Sequence, residues 1–169
     1  MGIALGDEHR VTSYYRVILG ANHAYATACF ASGFIGADCG FSADVQPYLA
    51  DDRREFYSSF VPIWLIANPG DTPNAAGVAC RHLWVVAQGM QTGDIVLSPD
   101  GEGSYRAGKV RGTYYFVAER PRHRRAVEWF EHRIPRASLS TALKRAMSSI
   151  GTTSDVTQHA AEILGLVER

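Results

Sequence analysis

Between Gly103 and Phe116 the chain reads GSYRAGKVRGTYYF, which sets the cations Arg106, Lys109 and Arg111 among the phenols Tyr105, Tyr114 and Tyr115. Cations beside aromatic rings are the groups with which proteins neutralise phosphates and stack on unpaired bases, and such stacking contributes roughly 1–3 kcal/mol per base. The stretch reads as a hairpin: a strand, a two-residue turn and a second strand. Alternation sends Tyr105, Ala107, Lys109 and Arg111 to one face and Ser104, Arg106, Gly108 and Val110 to the other. Neither face is uniformly apolar, which predicts an exposed rim. Tyr114 and Tyr115 must point to opposite faces, so at most one of them is core. Arg122, Arg124 and Arg125 follow at the start of the next strand. There long cations can reach phosphates, setting affinity and salt dependence without reading sequence. Arg106, Lys109, Arg111, Arg122, Arg124 and Arg125 are therefore the expected nucleic-acid backbone contacts. The competing reading is a solvated, charged turn.

Catalytic patterns are missing from the sequence. His23, His82, His123, His132 and His159 show no HExxH, HxH or Cys/His ligand spacing. There is no GxSxG elbow. The glycines of DGEGSYRAGKVRG do not spell a phosphate loop, because Lys109 is followed by Val110 and the run lies between strands. Asp94 opens a strand, but no E-x-K follows it. The expectation is a binding module, not an enzyme, with no cofactor and no metal. A small hydrolase or transferase using Asp38 or Asp94 with a nearby histidine is the alternative of a different class.

The net charge is zero, yet residues 103–145 hold 11 Lys and Arg against 3 Asp and Glu. Local excess of this kind is the electrostatic footprint of a polyanion-binding face. The 3 cysteines, Cys29, Cys39 and Cys80, form no CxxC pair, and an odd number argues against a disulfide framework. No apolar run is long enough to span a bilayer, and the N-terminus lacks a signal pattern. These features predict reduced thiols, a cytoplasmic location and no membrane partner.

The elements that must position these residues follow from periodicity. Residues 1–13 read as a flexible start. A strand is expected over 14–19, a helix over 22–33 capped by Asn22, and a short buried strand over 34–38. Residues 51–70 and the stretch from Pro73 read as helices, the second with a small, apolar stripe for close packing. GDIVLSP (93–99) is a strand, HRRAVEWFEHRI (123–134) another, and Ser138 is expected to cap a short helix to Met147 before a final helix. Helices among early strands and hairpins later predict α+β, with a curved, largely antiparallel sheet.

Together, CFASGFIGADCG, the run from AAGVACRHLW to GTYYF, HRRAVEWF and SIGTTSDVT resemble the N-terminal module found ahead of Mrr-type restriction endonuclease domains. That module is similar in turn to EVE and YTH domains of the PUA-like superfamily, here through MQTGDIVL and the Y-x-x-G-x-V-x-G-x-Y pattern. The resemblance implies a twisted, β-barrel-like sheet flanked by helices over residues 14–165. It also implies a pocket that takes a base flipped out of duplex DNA and sandwiches it between aromatic or apolar side chains. Matching positions are Phe34, Ile35, Gly36, Ala37 and Asp38, with Trp84, Tyr105 and Tyr114. Asp38 would accept from an exocyclic amine of the base; its alternative role is a cap or a loop salt bridge. The implied partner is double-stranded DNA carrying a modified base, 5-methylcytosine or a relative, with a nuclease domain following in the parent protein. An RNA-binding PUA-like domain is the nearer alternative.

Overall fold

The computed structural model describes residues 10–169. Residues 1–9 of the expected flexible start lie outside the described residues. Residues 10–13 have no regular structure but are tied down: Arg10 donates to Asp94 Oδ1 at 2.7 Å, and the Ser13 N–H reaches the same oxygen at 3.0 Å.

The chain runs β1 (Tyr14–Val17), α1 (Ala26–Ser32), β2 (Phe34–Ala37), α2 (Arg53–Ala67) and α3 (Pro73–Trp84). A π-helical turn (Val85–Gly89) leads to β3 (Ile95–Pro99), β4 (Ser104–Val110), β5 (Tyr115–Phe116) and β6 (His123–Pro135). Then come α4 (Thr141–Met147), β7 (Thr153–Asp155) and α5 (Ala160–Val167). Local chemistry sets the helix ends. Asp52 caps α2 by accepting from the Arg54 N–H, Thr72 caps α3 ahead of Pro73, and left-handed Gly33 closes α1.

The 7 strands of the described residues form one mixed sheet in the order β2-β6-β4-β3-β1-β7, with β5 paired to β6. β1 runs parallel to β3, and the other pairs are antiparallel. Between the pairs Arg106–Arg133 and Gly108–Trp129 the register shifts, because β6 carries extra residues there. Such a bulge bends the strand and raises its twist. Gly108 makes the bend possible, since a Cβ there would lie 2.6 Å from a Val127 methyl and 2.8 Å from the Glu128 carbonyl oxygen. The result is α+β: a curled, half-barrel sheet flanked by helices.

Alternation splits the core. Tyr14, Leu97, Tyr105 and Ile134 pack on one face against Leu143, Ile163 and Leu166 of α4 and α5. Tyr15, Val17, Val96 and Val127 pack on the other with Ala26 and Cys29 of α1. A third cluster joins α2 and α3 through Phe56, Phe60, Cys80 and Trp84, and takes in Phe41 and Tyr114.

Four local expectations are corrected. GSYRAGKVRGTYYF is not a hairpin: β4 pairs with β3 and β6, and β5 pairs with β6. Both edges of β4 are thereby occupied, so Tyr115 and Phe116 find no place beside it. Asn22 is not the cap of α1; it and His23 take left-handed backbone angles (φ 54° and 57°), and the helix starts at Ala26. Ser140, not Ser138, caps α4, its hydroxyl accepting from the Leu143 N–H at 3.1 Å. Finally, β7 stands where only a helix was expected.

Candidate functional site

The end of β2 opens into a cleft of about 650 Å³, lined by Tyr25, Ala37, Asp38, Arg120, Gly151 and Thr152 among others. Asp38 is its central polar group. Oδ2 accepts from the Tyr25 hydroxyl at 2.8 Å and from Arg120 Nε at 2.9 Å, and Oδ1 accepts from the Arg122 N–H at 3.2 Å. The Arg122 guanidinium stands 3.7 Å from the same Oδ1. Burial opposes the charge of Asp38, but the Tyr25, Arg120 and Arg122 hydrogen bonds outweigh it and hold the carboxyl below its ordinary value. The Arg120 side chain is 61% exposed, so it rims the cleft.

Gly36 places those arginines. A Cβ on Gly36 would lie 2.7 Å from Pro121 Cγ. Only glycine lets Pro121 rest on β2 and send Arg120 and Arg122 past it to Asp38. The cleft is also where backbone strain collects: Cys39 lines it with φ 50°, and Asn22 and His23 sit in the loop opposite. Left-handed non-glycine residues of this kind cluster at binding sites. Burial and then the neighbouring Asp38 charge push the Cys39 thiol up to about 12, which disfavours its thiolate.

The far wall is the loop Ser149–Thr152. It is drawn inward by Arg16, whose side chain is 1% exposed. The Arg16 guanidinium donates to the carbonyls of Ser149 and Gly151, to Ser149 Oγ at 3.2 Å and to the Met147 carbonyl at 3.4 Å. Behind the loop lies an apolar groove of about 430 Å³ that shares Cys39, Gly151 and Thr152 with the cleft and adds Trp64, Val78 and His82. His82 Nδ1 faces Thr153 Oγ1 at 2.8 Å and accepts from the Thr153 N–H at 3.3 Å, while its Nε2 is buried without a partner among the described residues.

Of the residues expected to form a base pocket, the structure brings Ala37 and Asp38 to the cleft, and Gly36 shapes it. The rings do not converge. Phe34 and Ile35 are buried beneath α1, Trp84 and Tyr114 in the α2–α3 cluster, and Tyr105 on the opposite face of the sheet. Each has a structural partner. Trp84 packs 5.4 Å from Phe56, Tyr105 accepts from Arg136 at 2.7 Å, and Tyr114 pairs with His123 Nδ1 at 2.8 Å.

The cations also divide. Arg111 is exposed but paired to Glu128 at 2.6 Å, and Lys109 is half-buried opposite Glu128 in the strand register. Arg106 donates to the Phe130 carbonyl at 3.0 Å, and Arg124 lies 4.0 Å over the Phe34 ring while donating to the Pro121 carbonyl at 2.6 Å. Arg122 serves Asp38. Arg125 is corrected outright: it is 3% exposed and donates to the carbonyls of Gly112, Val86 and Met90, so it cannot reach a phosphate.

Tyr25, Arg120 and Ser149–Thr152 are site residues that sequence reasoning missed. Arg120 opens the arginine-rich run 120–125, and Gly151 interrupts SSIGTT; those are the available signals. Asp94, the other acid considered for catalysis, is wholly buried and occupied by Arg10, the Ser13 N–H and the Gln91 N–H. Among the described residues no group of three or more His, Cys, Asp and Glu side chains could hold a metal ion, and no helix is long and apolar enough to cross a membrane.

A family model described as a domain of unknown function (DUF8426) matches residues 15–153. The chain belongs to this family. The matched span runs from β1 into β7 and contains every residue lining the cleft, so the DUF8426 core and the candidate site coincide. No curated protein and no solved structure matches the chain.

Proposed function

We propose that this DUF8426 domain is a nucleic-acid-binding sensor that takes an extruded base into the Asp38 cleft. Its target is a modified base in duplex DNA, in line with the resemblance to the module preceding Mrr-type nucleases, and the cutting activity belongs to a separate nuclease domain. The carrying observation is the pairing of an ionised carboxylate with a tyrosine hydroxyl in a cleft rimmed by an exposed arginine. A carboxylate accepts from the exocyclic amine of cytosine or adenine. Arg120 can swing from Asp38 to a phosphate as the base enters, exchanging one charge-assisted bond for another. The curled mixed sheet is compatible with the PUA/EVE-like architecture that the resemblance implies.

The test is titration of labelled duplexes carrying 5-methylcytosine, 5-hydroxymethylcytosine, N6-methyladenine or no modification, with a matching RNA, at two salt concentrations. One modified duplex should bind best, and Asp38→Asn should erase that preference, a loss of about 1–3 kcal/mol in discrimination. Arg111→Glu should weaken all duplexes alike and flatten the salt dependence. Equal binding of modified and plain DNA sinks the sensor reading, and preference for the RNA moves the domain to RNA.

A further inference from the structure

We propose that the loop Ser149–Thr152 is a phosphate-binding lip of the cleft, so that its ligand is a nucleotide unit with the base toward Asp38 and the phosphate against the loop. The orientation of base and phosphate rests on the base-binding reading above; the phosphate site itself rests on the loop.

Arg16 is the first observation. It is a fully buried cation on β1, and among the described residues no carboxylate pairs with it; its Nε has no partner at all. A buried charge held only by neutral oxygens is costly unless its surroundings are polarised to match. Here the match is the loop. The Ser149 and Gly151 carbonyls point at the guanidinium. In a trans peptide the N–H points opposite to the C=O, so the Ile150 and Thr152 N–H groups face away from Arg16. The peptide dipoles thus turn their positive ends away from Arg16.

The loop amides are also free. Among the described residues, no protein acceptor takes the N–H of Ile150, Gly151 or Thr152. Gly151, at φ 111°, allows the turn that groups them. Successive unpaired N–H groups in a turn form an anion-binding concavity. Gly151 and Thr152 line the cleft, and Arg120 stands in its lining as well. Around Asp38 and the loop, Arg16, Arg120 and Arg122 set three guanidinium groups against one carboxylate. The local field therefore favours an anion despite Asp38. Phosphate monoesters and the diester of a strand share this chemistry.

The experiment is a series of ¹H–¹⁵N titrations of the full chain with inorganic phosphate, 2′-deoxycytidine, 2′-deoxycytidine 5′-monophosphate and a dinucleotide diester. The Ile150, Gly151 and Thr152 amides should shift saturably with the three phosphate-bearing ligands and stay put with the nucleoside. Arg120→Gln should weaken the monophosphate about tenfold, as should Ile150→Pro, which removes a donor, relative to Ile150→Ala. Nucleoside binding as tight as the monophosphate, or unmoved loop amides at saturation, overturns the proposal. Selective binding of a modified duplex with no response of these amides overturns the lip alone and leaves base reading intact. A phosphate response without any base preference does the reverse.

Discussion

His123 and His82 are both buried and both hold a loop that borders the cleft, yet they do so in opposite conditions. His123 is 0% exposed with each ring nitrogen engaged. Nε2 donates to the Phe41 carbonyl at 2.7 Å, which leaves Nδ1 to accept from the Tyr114 hydroxyl, itself the acceptor for the Val45 N–H at 3.3 Å. That closed chain pins the segment after Asp38 to β6. Among the described residues, His82, 5% exposed, has one nitrogen engaged and one orphaned, and the nearby Arg16 has no counter-ion. Satisfied networks specify one structure; partly satisfied ones are where ligands find work to do. The contrast separates a fully bonded side of the cleft from a partly bonded one.

The largest effect should come from the fully bonded side. His123→Leu strands the Phe41 carbonyl and the Tyr114 hydroxyl, and denaturant unfolding should show a loss of about 3 kcal/mol. Arg16→Met should cost about 2 kcal/mol, less because it also removes a buried charge with no carboxylate partner among the described residues; hydrogen exchange should then speed up at the bonded Ser148, Ser149 and Ile18 amides and not in 41–45. If 41–45 loosens equally, the two sides are not independent.

Acidification should have a smaller effect. Both histidines sit below their ordinary value of 6.5, His82 through burial and then Arg81 and Arg16, His123 through burial. The unfolded chain protonates first, so stability is full above that value and is lost as the pH falls through it toward the folded-state values. Thermal unfolding at about pH 7.5 and pH 5.5 checks the sign. Smallest of all should be His82→Phe, about 1 kcal/mol, because it deletes an unpaired nitrogen along with the two contacts that Nδ1 makes to Thr153. This variant should also lose part of the acid sensitivity.

Much of the fold was legible where a pattern repeats. The small-residue stripe of α3, Pro73 at its start, and the apolar runs of β1, β2 and β3 all act locally. What failed was decided at a distance. Arg125 carries the charge of a phosphate ligand, but the carbonyls of Val86 and Met90, which bury it, lie far off in sequence. The tyrosines read as stacking groups because alternation cannot say which face of a curled sheet is wet. The sequence singled out Asp38 but not its partners Tyr25 and Arg120, because a carboxylate does not advertise which donors will reach it.

β1 lies between β3 and β7, with Tyr15 opposite Asp155. β1 therefore keeps one unpaired edge until the chain has been made as far as β7, long after β3 has paired with it. Non-local pairing of this kind is slow, and an open edge invites wrong partners. The loop Ser149–Thr152 is the lead-in to β7, so the cleft wall is completed by the same late event that closes the sheet. Completion of the cleft and closure of the sheet arrive together, and a chain stopped short of β7 would lack both.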